Sequence, residues 1–408
     1  MRFAVLGLPR SRHLKSLILA QLAQTSHTFL VCEERNREFI DGGWAGVEPG
    51  SNTEIALLDR LDEDDLAARL VREHVERIIS LSDRTMGTAA RIRERLGLPG
   101  NTAASERWVT DKGLMRRRLL ECGLTAVESR RTTVAGLAAT VDECSFPVIV
   151  KPASLGASLC VELLRSREDV GAYAERCRAN RVFTGGDLVV EDYVPGPELS
   201  VEGVVANGRV TFFGVTESHH SGFPYYVGTG HDFFPAHERA EAIQDFVRPV
   251  LAALEITDSL FHIELKCLGD RYEVIEAHTR FAGTMIAELV RYGTGIEVFA
   301  HYADLLAGMA TAVPRPRHEG IVAQHLLCSA PGAITHIDLP EEIARDPRVI
   351  SWSLDYAPGD LIEPDVLPVE YVGYVTFAVT SREQADAFRS HCDSHFTLRL
   401  AQESGISA

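Results

Sequence analysis

The sequence predicts a protein of several units, α/β at its N-terminus and α+β further on. Three observations carry this. A chain of 408 residues exceeds one ordinary hydrophobic core. Its first hundred residues alternate between strand and helix periods, and the pattern changes near Ser105 and again at the two prolines of "TAVPRPRH", residues 311–318.

"RFAVLG" reads as a buried strand, "SRHLKSLILAQLAQ" as a helix and "HTFLVCEE" as a second strand. "VERIISLSD" is a third strand, followed by the helix "RTMGTAARIRERLG", so an open parallel α/β unit is expected over 1–104. Its single Gly7 is not a dinucleotide fingerprint. The central part, 105–310, holds the helix "DKGLMRRRLLECG", the strands "FPVIVKP" and "LVVEDYV" and a hairpin. The prolines lead to a last domain, 311–408, with the strand "YVGYVTFAVT" and the helix "SREQADAFRSHC".

Composition narrows the partners. With 41 basic and 58 acidic side chains the formal charge is -17, which opposes general attraction to nucleic acid or an anionic membrane surface. The opening apolar run is too short for a membrane span, and no cleavage site follows it, so no signal peptide is expected. Eight scattered cysteines without a CxxC pair suit a reducing cytoplasm.

The hairpin "FHIELKCLGDRYEVIEAHTR", residues 261–280, is the most informative stretch. A strict two-residue loop at Gly269-Asp270 would mix acids and aliphatics on both faces. An odd loop or a bulge places Glu264 opposite Glu276, His262 opposite His278 and Leu265 opposite Ile275. One face is then apolar, and the other gathers both acids, both histidines and Lys266, with Arg280 just beyond. Carboxylates held about 5 Å apart repel unless a cation lies between them, and magnesium suits two oxygen ligands. A solvated polar face balanced by Lys266 and Arg280 is the alternative.

Elsewhere, Lys151 ends a strand before the small-residue loop Ser154–Ser158, where backbone N–H groups can approach phosphate closely. Glu191 and Glu198 flank a Pro-Gly turn. His219, His220 and His231 fall in a glycine-rich segment that reads as a mobile loop, and no ligand spacing there supports zinc.

In order, "TDKGLMRRRL", "FPVIVKPASLGAS", "LVVEDYVPGPELSVEG", "FHIELK" and "VIEAHTRFAGTMI" resemble the ATP-grasp carboxylate-amine ligases, with "RFAG" pointing to the L-amino-acid ligase, or bacilysin-synthetase-like, branch. The resemblance implies an ATP-grasp fold: a pre-ATP-grasp domain, a core of two lobes at about 105–187 and 188–310, and a C-terminal α+β domain. It implies that Lys112 and Lys151 contact nucleotide phosphates, that Ser154, Gly156, Ala157 and Ser158 cover them, and that Glu191, Asp192, Tyr193 and Val194 line the adenine while Glu198 takes the ribose. Glu264 and Glu276 would hold Mg2+, for which Mn2+ can substitute; His278 stands where many relatives have a further asparagine ligand. Arg280 and the Gly283 backbone would serve the reacting carboxylate, with His231 near the substrates.

Related ligases often carry a glutamate three residues before that histidine, where this chain has Gly228; either the acid substrate is then not a simple α-amino acid, or Glu217 or His220 compensates. The implied activity uses ATP to activate a carboxylate as an acyl phosphate and couples it to an amine, giving a dipeptide or amide in secondary metabolism, with no nucleic acid or membrane partner. A homodimer stays open. The alternatives are a purine-pathway or biotin-carboxylase-like enzyme using formate or bicarbonate, and a non-catalytic nucleotide-binding regulator. Loops at 153–158 and 218–232 would exclude water from the reaction.

Overall fold

The computed structural model describes residues 1–9, 11–35, 48–156, 158–183, 185–223, 225–282, 285–309, 316–318, 320–363 and 369–401. Four parallel strands open the chain: β1 (Arg2–Leu6), β2 (Thr28–Glu34), β3 (Thr53–Leu58) and β4 (Arg77–Ser80), in the order β3-β2-β1-β4. The helix Arg12–Leu22 between β1 and β2 begins where the Ser11 hydroxyl accepts from the Leu14 N–H, and the helix Asp83–Leu96 after β4 ends at a left-handed Gly97. Gly7, just past β1, has φ +71°, and a Cβ there would lie 2.5 Å from the Thr85 hydroxyl, which itself donates to the Leu6 carbonyl at 2.6 Å. This glycine allows the helix to approach the strand end.

A second four-stranded sheet, all antiparallel, holds β5 (Ser129–Thr132), β6 (Val148–Pro152), β7 (Glu162–Leu164) and β8 (Leu188–Asp192) in the order β5-β8-β6-β7. The remaining strands are β9 (Glu198–Ala206), β10 (Arg209–His220), β11 (Gly228–Phe234), β12 (Ser259–Leu268), β13 (Arg271–His278), β14 (Ile321–Ser329), β15 (Gly332–Asp338), β16 (Val349–Leu354), β17 (Leu361–Ile362), β18 (Glu370–Val379) and β19 (Thr397–Leu400).

Contacts divide the chain into two compact units, each of three segments. The first comprises Met1–Ala126, Leu199–Val215 and Ala236–Arg317; the second comprises Val127–Glu198, Thr216–Pro235 and His318–Ala408. In the first unit β13-β12-β9-β10 lie side by side over a core of Val201, Val247, Phe261, Ile263 and Leu265. In the second the run is β10-β11-β14-β18-β16, and β17-β15-β19 form a small separate sheet; Phe377 and Phe388 centre its core.

These units do not follow the sequence boundaries at 104 and 187. The helices Ala103–Thr110 and Lys112–Glu121 belong to the first unit, and β8 belongs with β5 and β6 because its pairing partners are Arg130 and Val150 opposite Val190. The linker expected over 311–318 lies mostly outside the described residues. Among the described residues no helix is long and apolar enough to cross a membrane, and all eight cysteines are free thiols.

Candidate active site

In the first unit the β12/β13 hairpin sets the register. Leu268 pairs with Arg271 across the two-residue loop Gly269-Asp270, and a bulge between the Glu264 and Leu265 pairings restores the alternation. Glu264 therefore faces Glu276, and His262 faces His278. One detail differs from the sequence reading: Leu265 lies opposite Val274, not Ile275, because Ile275 is the extra residue of the bulge and Val274 takes its place in the core.

Cations already surround the two acids. The Lys112 ammonium lies 2.9 Å from Glu276 Oε1, and His278 Nε2 lies 3.3 Å from the same oxygen. His262 bridges two carboxylates, Glu202 at 3.0 Å through Nδ1 and Glu264 at 3.1 Å through Nε2. Burial alone would lower the His262 pKa, but hydrogen bonds to Glu202 and Glu264 and their charge push it up to about 9. Burial likewise opposes ionisation of Glu264, and the His262 hydrogen bond with the charges of His262, His278 and Lys112 outweighs it, holding that carboxyl well below its usual range.

Lys112 is placed by its own helix. Asp111 is the N-cap, accepting from the Leu114 N–H at 3.0 Å, so Lys112 is the first helical residue. One turn on, Arg116 is fully buried and donates to Glu273 at 2.5 Å and to the Val274 carbonyl at 2.7 Å, which ties the helix to β13. Sequence reasoning passed over Arg116, although a basic residue four positions after Lys112 shares its helix face. Glu202 was also missed; an acid among Val201, Val204 and Val205 is its only signal.

Arg280 forms a paired hydrogen bond with Asp83, at 2.7 and 2.6 Å, and donates to the Phe281 carbonyl at 2.9 Å. Partial burial works against the Asp83 charge, yet hydrogen bonds from His278 and Arg280 hold its carboxyl below the usual range. The arginine thus presents a fork already shaped to a carboxylate.

In the second unit the buried Lys151 lies 2.8 Å from Glu191. Both sit in the β6/β8 pairing, and Glu191 is therefore not the solvated acid that a turn neighbour usually is. Asp192 accepts from the Glu128 N–H at 3.2 Å, Tyr193 donates its N–H to Pro147 at 3.3 Å, and Val194 follows half-buried. In the loop after Lys151, Ser154 and Gly156 are exposed, a Cβ on Gly156 would meet nothing, and Ser158 adopts φ +53°. Open backbone of this kind can receive phosphate oxygens. Ala157 and Gly283 lie outside the described residues.

Glu198 accepts from the Tyr226 hydroxyl at 3.1 Å and lies 3.4 Å from His220 Nε2, while the His220 and Tyr226 rings stack at 4.3 Å. Glu217 is engaged by Arg382 at 3.0 and 2.5 Å. The histidines are not on a loop over 218–232 as expected: His219 and His220 end β10, and Gly228 to His231 open β11. Gly230 serves sheet packing, since a Cβ there would lie 2.5 Å from the Gln324 carbonyl oxygen.

His231 is buried, with Nδ1 3.3 Å from the Ser218 hydroxyl. It starts a row the sequence did not disclose: His231 pairs with Gln324, Gln324 with Thr376, and Thr376 with Ser351, one residue from each of four adjacent strands. Both amide atoms of Gln324 and the hydroxyls of Thr376 and Ser351 are buried without a hydrogen-bond partner among the described residues. The neighbouring residue Asp232 turns the other way and is held by Arg389 at 2.7 and 2.9 Å and His219 at 3.0 Å.

Comparisons with known proteins agree with this architecture. Residues 144–288 match the ATP-grasp domain model, and residues 324–398 match L-amino acid ligase C-terminal domain 2. An uncharacterized protein of Sinorhizobium fredii is 24% identical over 343 residues, 82% of this chain and 71% of that protein. An alanine–anticapsin ligase of Bacillus subtilis is 24% identical over 324 residues, 68% of each chain. The crystal structure of an L-amino acid ligase from Bacillus licheniformis superposes with a TM-score of 0.79 at 20% identity, covering 98% of both chains.

Proposed function

We propose that this chain, which has the ATP-grasp fold and carries an ATP-grasp domain and an L-amino acid ligase C-terminal domain, is a ligase that joins a carboxylate to an amine as ATP is cleaved to ADP and phosphate. The observation that carries the reading is the apposition of Glu264 and Glu276 with Lys112 against them and Arg280 just beyond. Two acids with oxygen-only donors fit Mg2+, with Mn2+ as a substitute. When bound, the ion offsets charge on the transferring phosphoryl group.

The side chains supply the rest by position and charge. Lys112 and Lys151 neutralise phosphate oxygens, and Glu198 accepts from ribose. Arg280, exchanging Asp83 for the acid substrate, holds its carboxylate, and a substrate oxygen takes the γ-phosphoryl group as ADP leaves. The amine nitrogen then forms the new bond to the acyl carbon, loses a proton, and phosphate departs. The alanine–anticapsin ligase of Bacillus subtilis, as a relative, supports an amino acid as one substrate. Gly228 and the three unpartnered members of that row, Gln324, Thr376 and Ser351, favour an acid whose side chain itself makes hydrogen bonds.

The test is product formation with purified protein over a panel of acid and amine pairs. ADP and phosphate should appear only when both are present, and hydroxylamine should trap an acyl hydroxamate. Glu276→Gln should lose at least about a hundredfold in turnover while the protein remains folded. Formation of AMP and pyrophosphate would overturn the reading.

A further inference from the structure

The helix Arg382–His395 carries two histidines one turn apart, His391 and His395, and the short helix Glu341–Ala344 brings Glu342 beside them. One ligand atom from each of the three lies within 4.8 Å of the others. The His391 and His395 rings are 4.3 Å apart, and His395 Nε2 is 3.6 Å from Glu342 Oε1. All three residues belong to the second unit, away from Lys151 and Glu191 in sequence and in sheet.

The hydrogen bonding of His395 fixes what its ring offers. Nδ1 lies 2.9 Å from the His391 carbonyl oxygen, which can only accept, so Nδ1 carries the hydrogen. In the neutral ring Nε2 then has a lone pair, and that lone pair faces a carboxylate oxygen. Two acceptors then face each other, and either a proton on Nε2 or a metal ion between them resolves the contact. A histidine that donates its other N–H to a backbone carbonyl is also the usual orientation of a metal-bound imidazole. The surrounding charges leave this acid available: Arg345 is paired with Glu341 at 2.5 Å, and Arg348 with Asp346 at 2.7 Å.

We propose that Glu342, His391 and His395 form a binding site for a zinc-class divalent ion that clamps the short helix Glu341–Ala344 to the helix Arg382–His395. Two imidazoles and one carboxylate are a nitrogen-rich donor set that favours Zn2+ or Co2+ over Mg2+, with water completing a tetrahedron. Histidines at i and i+4 share one helix face, and the third ligand arrives from a separate helix, so the sequence alone does not show the set.

The experiment uses the full chain, stripped with EDTA, desalted, and titrated with Zn2+ and with Co2+ in 5–10 mM Mg2+ (about the level that saturates an oxygen-ligand site). One Zn2+ per chain should bind with a Kd below about 10 µM, raise the melting temperature by a few degrees, and with Co2+ give the visible absorption of a tetrahedral ion. His391→Asn/His395→Asn should abolish all three readouts, and Glu342→Gln should weaken binding about tenfold or more. Both sets of substitutions fall on exposed or half-exposed positions, and an unchanged melting curve without metal checks their folding. Equal Zn2+ uptake by the wild type and the double variant, as free thiols would give, overturns the proposal, and so does a wild-type Kd weaker than about 100 µM.

Discussion

Gln324 offers a sharp test of whether its surroundings are built for a ligand rather than for stability. Its side chain is fully buried, and neither amide atom has a hydrogen-bond partner among the described residues. Leaving such a group unpaired costs about 1–3 kcal/mol in a folded protein. Gln324→Met keeps the length of the side chain and removes both polar atoms, and a volume-conserving swap of this kind costs less than about 1.5 kcal/mol. The net expectation is a stabilisation of about 1–2 kcal/mol, read as a higher urea midpoint for the first unfolding transition with an unchanged slope. Thr376→Val, beside it in the row, should shift stability in the same direction. Turnover should move the opposite way, with kcat/KM for the preferred acid at least tenfold lower, because a polar substrate group loses its partner. If Gln324→Met instead destabilises the protein by more than about 1 kcal/mol, the amide is satisfied in the free protein and the reasoning fails.

Three further outcomes are expected. Lys151→Met removes the positive charge that faces the buried Glu191 and should cost about 3–5 kcal/mol. In Lys151→Met/Glu191→Met most of that stability should return while ATP binding, measured by calorimetry, stays lost. Asp232→Asn leaves the Arg389 charge with the exposed Asp386 alone and should cost about 1.5–3 kcal/mol in chemical denaturation. Because burial of Asp232 is outweighed by His219 and Arg389, its folded pKa lies below the unfolded one; the stability it contributes is present above about pH 4 and disappears as pH falls further. Acid unfolding of the wild type should therefore be steeper below pH 4 than that of the variant. Gly228→Glu should fold, since a Cβ there would meet only the Tyr371 hydroxyl, at an ordinary 3.5 Å, and should shift acid preference toward α-amino acids in a phosphate-release screen.

Local features were legible and distant ones were not. Alternation along 261–280 is enough to set Glu264 against Glu276, since any other register buries acids with aliphatics; the bulge at Ile275 left its neighbours one place off. Asp111 before Lys112 announces a helix start in the sequence itself. β3 went unread because its half-exposed residues, Thr53–Leu58, take their strand character from pairing with β2. The His231 to Ser351 row joins four strands through registers that no single stretch encodes. Glycine misled at 228–231, where it permits close strand approach and was read as a loop signal.

The bond from Arg116 to the Val274 carbonyl spans 158 residues of chain. A ribosome adding about 5–20 residues per second needs roughly 8–30 s to make that stretch. During that interval the nascent helix bearing Lys112 has neither Glu273 nor Glu276 to meet its charges. The N-terminal parallel sheet can close early, whereas the lysine at the heart of the proposed chemistry acquires its setting only after the hairpin emerges. Chaperone contact in that window should track the arginine-rich helix more than the strands before it.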